Sequence, residues 1–248
     1  QWNMQDYDYD PRGMDAGQVP YVLKPLQDKT VEYLDGDRRT NGRHATEVFV
    51  ETASTFLRER TRDAKPFFLS VALTAPHDPR NAPQRFHDLY PPESVELPGN
   101  FLAQHPHHTG SLGGRDDRLA ETPRKPGEIR EHLSDYYAII SHLDEEFGNL
   151  MAALEASGER ENTIVVFTAD HGISIGQHGL MGKQNLYEHS TRIPMILAGP
   201  GIPENQRVDD RIFHYGLMPT LLESLELPIP ESVTGESFVP NLQGEGNG

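Results

Sequence analysis

Apolar positions along the chain follow two periods, separated by long polar stretches punctuated with proline and glycine. The clearest period is helical. Ile129, Leu133, Tyr136, Ile140, Leu143, Phe147, Leu150 and Leu154 recur at alternating spacings of four and three. Glu131, Asp135, Glu145 and Asn149 lie off that stripe. This predicts one long amphipathic helix over about Pro126–Ser157, stopped at Gly158. A second helix is predicted over about Ala45–Thr61 from Phe49, Ala53, Phe56 and Leu57, ended by Pro66. Three nearly continuous apolar runs, Phe67–Leu73, Thr163–Ala169 and Ile193–Ala198, read as strands buried on both faces. Pro219–Leu227 reads as a short helix with proline at its start.

Strands alternating with helices predict an α/β fold, a mainly parallel sheet flanked by helices. The sheet is expected to be incomplete, because residues 1–45 are irregular and offer no comparable buried strand. They offer only a short hairpin around Val22–Leu26 and Thr30–Leu34. The α/β domain is expected over residues 46–242, with a loop-rich insertion at 79–127 and a disordered tail at 243–248. A loop of that length within a domain is usually functional.

The composition narrows the classes. The chain has 248 residues, 22 Lys plus Arg against 38 Asp plus Glu, and a net charge of −16. That balance opposes a general electrostatic grip on nucleic acid. No apolar run approaches the ~18 residues of a membrane span. There is no cysteine, which excludes disulfides, thiolate metal sites and a cysteine nucleophile within this stretch.

Candidate chemistry sits at predicted strand ends, where open α/β sheets bind ligands. His77 and Asp78 follow the first strand, and Asp170-His171-Gly172 follow the second. Adjacent Asp and His at a strand end can turn toward one cation, and an Asp helix cap beside an exposed His fits the same residues. Lys183 ends the glycine-bounded segment Gly176–Lys183. It can fold back as a point charge for an oxyanion, or remain an ordinary surface lysine.

The combination is more specific. T-A-D-H-G at 168–172 is followed by G-K-x-x-x-Y-E-H-x-x-R-I-P at 182–194 and A-G-P-G at 198–201. Upstream stand F-F-L-S-V-A-L-T-A-P-H-D-P at 67–79 and D-Y-Y-A-I-I-S-H-L-D at 135–144. In this order, from about Phe67 to Leu242, these segments resemble the sulfatases of the alkaline-phosphatase superfamily.

The resemblance implies an alkaline-phosphatase-like fold and hydrolysis of a sulfate ester, a small molecule or carbohydrate. It implies that Asp170 and His171 are ligands of one divalent cation, usually calcium (Ca2+). It implies that Lys183 contacts the sulfate group, and that His77 hydrogen-bonds sulfate near the leaving oxygen and helps protonate it. Tyr187, Glu188 and Arg192 belong to the motif and read as structural, holding the lysine loop. His178 is a candidate substrate contact. Arg115, within Arg115-Asp-Asp-Arg118 of the insertion, is another; the same run also reads as a solvated, self-paired charge cluster. His105-Pro-His-His108 reads as exposed rather than as a metal cluster.

The sequence also departs from the family pattern. The family's nucleophile is a formylglycine made from Cys or Ser in C/S-x-P-x-R, and no such segment occurs here. Asp6–Asp10 follows no buried strand and does not replace the family's first metal-binding Asp pair. Gly235–Leu242 resembles the segment before the family's small C-terminal subdomain. The expectation is therefore the middle of a sulfatase, inactive in isolation, with formylglycine in the missing N-terminal part. Export to the periplasm or beyond is favoured by the resemblance alone. Two other readings remain: a phosphonate or phosphate monoester hydrolase of the same superfamily, and a non-catalytic sulfatase-like binding protein.

Overall fold

The computed structural model describes residues 22–23, 31–32, 44–60, 65–108, 110, 112–114 and 116–245. Arg115 and the Asp6–Asp10 stretch lie outside these described residues. The chain divides into two compact units. One comprises residues 1–158 with 172–191, and the other 159–171 with 192–248.

The first unit is built on helices. Strands β1 (Val22–Leu23) and β2 (Val31–Glu32) pair antiparallel where the short hairpin was expected. Helix α1 (Ala45–Glu59) begins at His44, whose Nδ1 accepts the Thr46 backbone N–H at 3.1 Å and so caps the helix. Its buried face is Thr46, Val50, Ala53 and Leu57, spaced four, three and four. Phe56 is instead exposed and meets Phe67 edge-on, with Arg60 lying over both rings. Helix α2 (Gln84–His87) is a single turn.

Helix α3 (Pro126–Ser157) has 32 residues, as its period predicts. Pro126 opens it and Gly158, at φ 76°, closes it in the left-handed conformation. Its N-terminal half packs Ile129 and Leu133 against Ile175 and Met181. Farther along, the buried face moves to Ala138, Ile139 and His142, leaving Ile140 exposed. Ala138 and Ile139 pack there with Ala75, Ala82 and Phe86. The loop after α2 is fastened to α3 through the Tyr90 and Ser141 hydroxyls, 2.8 Å apart, and through Arg130 Nε donating to the Val95 carbonyl at 3.1 Å.

A tight hairpin completes this unit. Strand β4 (Ser174–Ile175) pairs antiparallel with β5 (Met181–Gly182). The one-turn helix α4 (Glu188–Thr191) follows.

In the second unit, β3 (Val165–Thr168) pairs antiparallel with β6 (Met195–Ala198). Phe167 lies opposite Ile196 in this ladder, and both side chains are exposed. Helix α5 (Leu217–Ser224) carries Pro219 as its third residue, two positions later than expected. The buried Thr220 hydroxyl donates to the Gly216 carbonyl and accepts the Phe238 N–H, tying α5 to the start of α6 (Val239–Leu242). Residues 243–245 turn back on α6, with the Glu245 N–H donating to the Pro240 carbonyl at 2.8 Å.

The α/β class stands as expected, but strand direction differs. The three strand pairs among the described residues are antiparallel, not parallel. An apolar run signals burial and carries no direction, and mixed sheets commonly include antiparallel strands. The run Phe67–Leu73 also differs. It lies among described residues without a strand partner there, with alternate side chains exposed and Phe68 85% exposed. Phe67 alone of these is seen in ring contact, with Phe56 and Arg60.

Candidate functional site

The turn after residues 67–73 delivers His77, whose N–H donates to the Thr74 carbonyl at 3.0 Å. The hairpin β4–β5 delivers Lys183, the residue immediately after β5. These two side chains, 106 residues apart in sequence, meet: Lys183 Nζ is 2.9 Å from His77 Nε2. The other side of the imidazole is also held. His77 Nδ1 lies 2.9 Å from the Asp78 carbonyl oxygen and 3.2 Å from Asp78 Oδ1.

Lys183 has a second partner. Asp116 Oδ2 is 3.3 Å from Nζ, on a carboxylate only 4% exposed. Gln184 Nε2 donates to the same oxygen at 2.9 Å. An ammonium has three donors. Asp116 and His77 take two, and the third remains for an incoming oxyanion. Lys183 is partly exposed, so that donor is reachable.

The backbone brings this about at Gly182. Its φ is +85°, a region L side chains rarely adopt, and an added Cβ would overlap Asp116 Cβ and lie 3.0 Å from Gln184 Oε1. Glycine is therefore what allows Asp116 to approach the lysine. After Lys183 the chain is folded back on β4. Asn185 Nδ2 donates to Ser174 Oγ at 3.0 Å, the Tyr187 N–H donates to Asn185 Oδ1, and the Gly172 N–H donates to the Ser190 carbonyl. The loop is thus held by Asn185, Ser174 and Ser190. Of the expected motif residues, Tyr187 contributes a ring stack, Glu188 is exposed in the first turn of α4, and Arg192 is exposed.

His178 occupies the hairpin turn at φ 54°. Its ring stacks on Tyr187 at 4.1 Å, its Nε2 lies 3.1 Å from Asn100 Nδ2, and its carbonyl oxygen lies 2.8 Å from His105 Nδ1. His105 is buried, against the expectation of exposure, because this bond fastens the insertion to the turn. His107 and His108 are exposed, as expected. Burial and the neighbouring His178 hold the His189 imidazole below its ordinary pKa.

The acidic pair of Arg115-Asp-Asp-Arg118 does two jobs. Asp116 reaches Lys183, while Asp117 pairs with the buried guanidinium of Arg124. Arg124 Nε also donates to the Gly179 carbonyl at 3.1 Å. Asp116 was not singled out in the sequence. The signal available was two adjacent carboxylates in a polar insertion, which reads equally well as a solvated run.

In the second unit, Asp170 and His171 follow β3. The His171 N–H donates to Asp170 Oδ1 at 2.9 Å, and His171 Nε2 lies 3.6 Å from Asp170 Oδ2. The Asp170 carboxylate is 85% exposed. A carboxylate with free lone pairs beside an imidazole suits a divalent cation, but as two donors of a larger set. No group of three or more His, Cys, Asp or Glu able to hold a metal occurs among the described residues.

The described residues form an α/β scaffold with polar groups gathered at strand ends. The chain belongs to the sulfatase family, whose family model matches residues 1–227. It is 32% identical over 214 residues to an ulvan-active sulfatase of Formosa agariphila, covering 83% of this chain and 38% of that protein. It is 31% identical over 201 residues to an arylsulfatase of Clostridium perfringens, covering 79% and 41%. Its fold resembles the phosphonate monoester hydrolase of Agrobacterium radiobacter, with TM-score 0.70 at 20% identity, over 97% of this chain and 47% of that one. The chain spans about two fifths of the length of these curated relatives. Family membership implies in general a divalent metal and a formylglycine.

Proposed function

We propose that the protein to which this chain belongs hydrolyses sulfate monoesters of carbohydrates, and that this chain supplies its sulfate-binding lysine and histidine. The observation that carries this reading is the 2.9 Å approach of Lys183 Nζ to His77 Nε2, two motif residues brought together from distant parts of the sequence. Lys183 neutralises an anionic sulfate oxygen with its remaining donor, while Asp116 and His77 fix its position. His77 stands beside the leaving oxygen and delivers its proton. Asp170 and His171 are two ligands of a divalent cation, taken as Ca2+. When bound, that cation would supply Lewis-acid chemistry, and a formylglycine of the complete protein would supply the nucleophile. His178 and Arg115 remain candidate substrate contacts. The ulvan-active relative supports a sulfated carbohydrate as substrate.

The fold likeness to a phosphonate monoester hydrolase favours a second reading, hydrolysis of phosphonate or phosphate monoesters. One experiment separates them. The complete protein is assayed for sulfate release from sulfated oligosaccharides and for turnover of phenyl phosphonates, each with Lys183→Ala alongside. Sulfate release that falls about 10²- to 10³-fold in the variant supports the proposal, by the usual cost of deleting one oxyanion donor. Faster phosphonate turnover overturns it in favour of the second reading. No turnover of either ester by the complete protein leaves the non-catalytic binding protein as the reading.

A further inference from the structure

We propose that Asp78 is a positioning residue of this site, holding the His77 imidazole with its proton on Nδ1 and its charge compensated. The inference rests on the sulfate-ester reading above. The geometry is an accounting of donors and acceptors. A carbonyl oxygen and a carboxylate can only accept. Both the Asp78 carbonyl, at 2.9 Å, and Asp78 Oδ1, at 3.2 Å, face Nδ1, so Nδ1 carries the hydrogen. Nε2 then presents its lone pair to the Lys183 ammonium, 2.9 Å away.

The same residue thus contributes twice. Its backbone carbonyl sets the tautomer, and its carboxylate adds a negative charge on the far side of the ring from Lys183. That side chain is only 4% exposed, so water screens it little. When the S–O bond breaks, its electron pair stays on the ester oxygen, which takes a proton from His77 Nε2. The ring is left neutral and retains Nδ1–H toward Asp78. Before that transfer Nε2 takes a proton from water as Lys183 turns its donor to the sulfate, and the Asp78 carboxylate pairs with the ring from the Nδ1 side.

This division of labour gives a specific expectation. In Asp78→Asn of the complete protein the backbone carbonyl still sets the tautomer, but the charge is gone. Esters whose leaving alcohol needs a proton should suffer, and esters with a good leaving group should not. The expected result is a kcat loss of about 10- to 100-fold on a sugar sulfate, within the usual worth of acid catalysis. The loss on 4-nitrophenyl sulfate should be under about threefold, with KM little changed for both. Asp78→Glu restores part of the loss. Equal losses on both esters, or no loss on either, in a protein whose wild type is active, overturn the role of Asp78. An inactive wild type refutes the sulfatase reading instead.

The tautomer is read separately, by nitrogen NMR of His77 in the wild-type protein. A proton bonded to Nδ1 supports the assignment. A neutral ring protonated on Nε2 overturns it, whatever the turnover.

Discussion

Gly182→Ala tests whether one missing methyl group shapes the lysine site. Two costs are expected. The first is backbone strain: φ is +85° at this position, and an L residue there loses about 1–2 kcal/mol. The second is steric. The new Cβ would overlap Asp116 Cβ and lie 3.0 Å from Gln184 Oε1 and 3.2 Å from Asp116 Oδ2. Ordinary carbon–carbon contact is ~3.5–4.0 Å, so Asp116 must retreat by about 1 Å. It is buried and tied to both Lys183 and Gln184, so the retreat strains or breaks those contacts. Overpacking of this kind costs about 1–3 kcal/mol. Together the substitution should destabilise by about 2–5 kcal/mol, or roughly 4–20 °C in Tm for a chain of this size.

Gly113→Ala is the control. It has a similar φ of +77°, but an added Cβ meets nothing within 4 Å, so only the strain of about 1–2 kcal/mol applies. Thermal melts of the two variants by circular dichroism isolate the steric part as their difference. Sulfate-ester turnover of the complete protein should fall in Gly182→Ala alone, because only there is Asp116 displaced from the lysine. Equal Tm losses in the two variants, or unchanged turnover in Gly182→Ala, would refute the reasoning.

Two further outcomes follow from the buried polar groups. Arg124→Met should destabilise by about 3–5 kcal/mol, because it removes the cation paired with the Asp117 carboxylate, leaving it only the Gly113 N–H, and frees the Gly179 carbonyl; a chemical denaturation curve shifted by under about 1 kcal/mol counts against this. Acid should weaken the fold between pH 6.5 and about 4. Burial, reinforced by His142, lowers the His44 pKa from 6.5 to about 4. Below pH 6.5 the unfolded chain therefore takes up a proton that the folded chain refuses, and stability falls as pH falls, by roughly 3 kcal/mol from His44; burial lowers the His132 pKa to about 4 as well and adds a comparable loss. Nδ1 of His44 accepts from Thr46 while Nε2 donates to the Asn81 carbonyl, so the folded state uses the neutral ring. His44→Asn, which can still cap the helix, should cut the slope across that range by about half, His132 keeping its share; an unchanged slope rejects the assignment.

The sequence was most legible where one local rule decided the outcome. Helix α3 matches its expected bounds because a 32-residue stripe, an opening proline and a closing glycine all agree. The meeting of His77 with Lys183 was legible only through the family motif, since 106 residues of chain separate them. Asp116 was not legible at all. Nothing local distinguishes it from Asp117, yet one carboxylate meets a lysine and the other an arginine. The burial of Ala138 and Ile139 and the exposure of Ile140 escaped as well, because they depend on Ala75, Ala82 and Phe86, which pack on the helix from a distant segment.

Strand direction and pairing were illegible for a related reason. Residues 67–73, Phe167 and Ile196 were read as buried from their hydrophobicity, and hydrophobicity reports what a residue needs rather than what it has. Large apolar side chains nonetheless stand exposed in each unit, Phe68 in the first and Ile196 in the second. Soluble proteins seldom leave apolar strand faces in water. The polar site shows the opposite balance. Lys183, His77, Asp116 and Asp78 are all held by hydrogen bonds or ion pairs within the first unit itself. The groups proposed to bind sulfate are thus positioned by local contacts, whereas Phe68 and Ile196 stand exposed. The two needs are physically separable. The geometry of the lysine–histidine pair should therefore respond to Gly182 and Asp78, residues that touch it, and not to what covers Phe68.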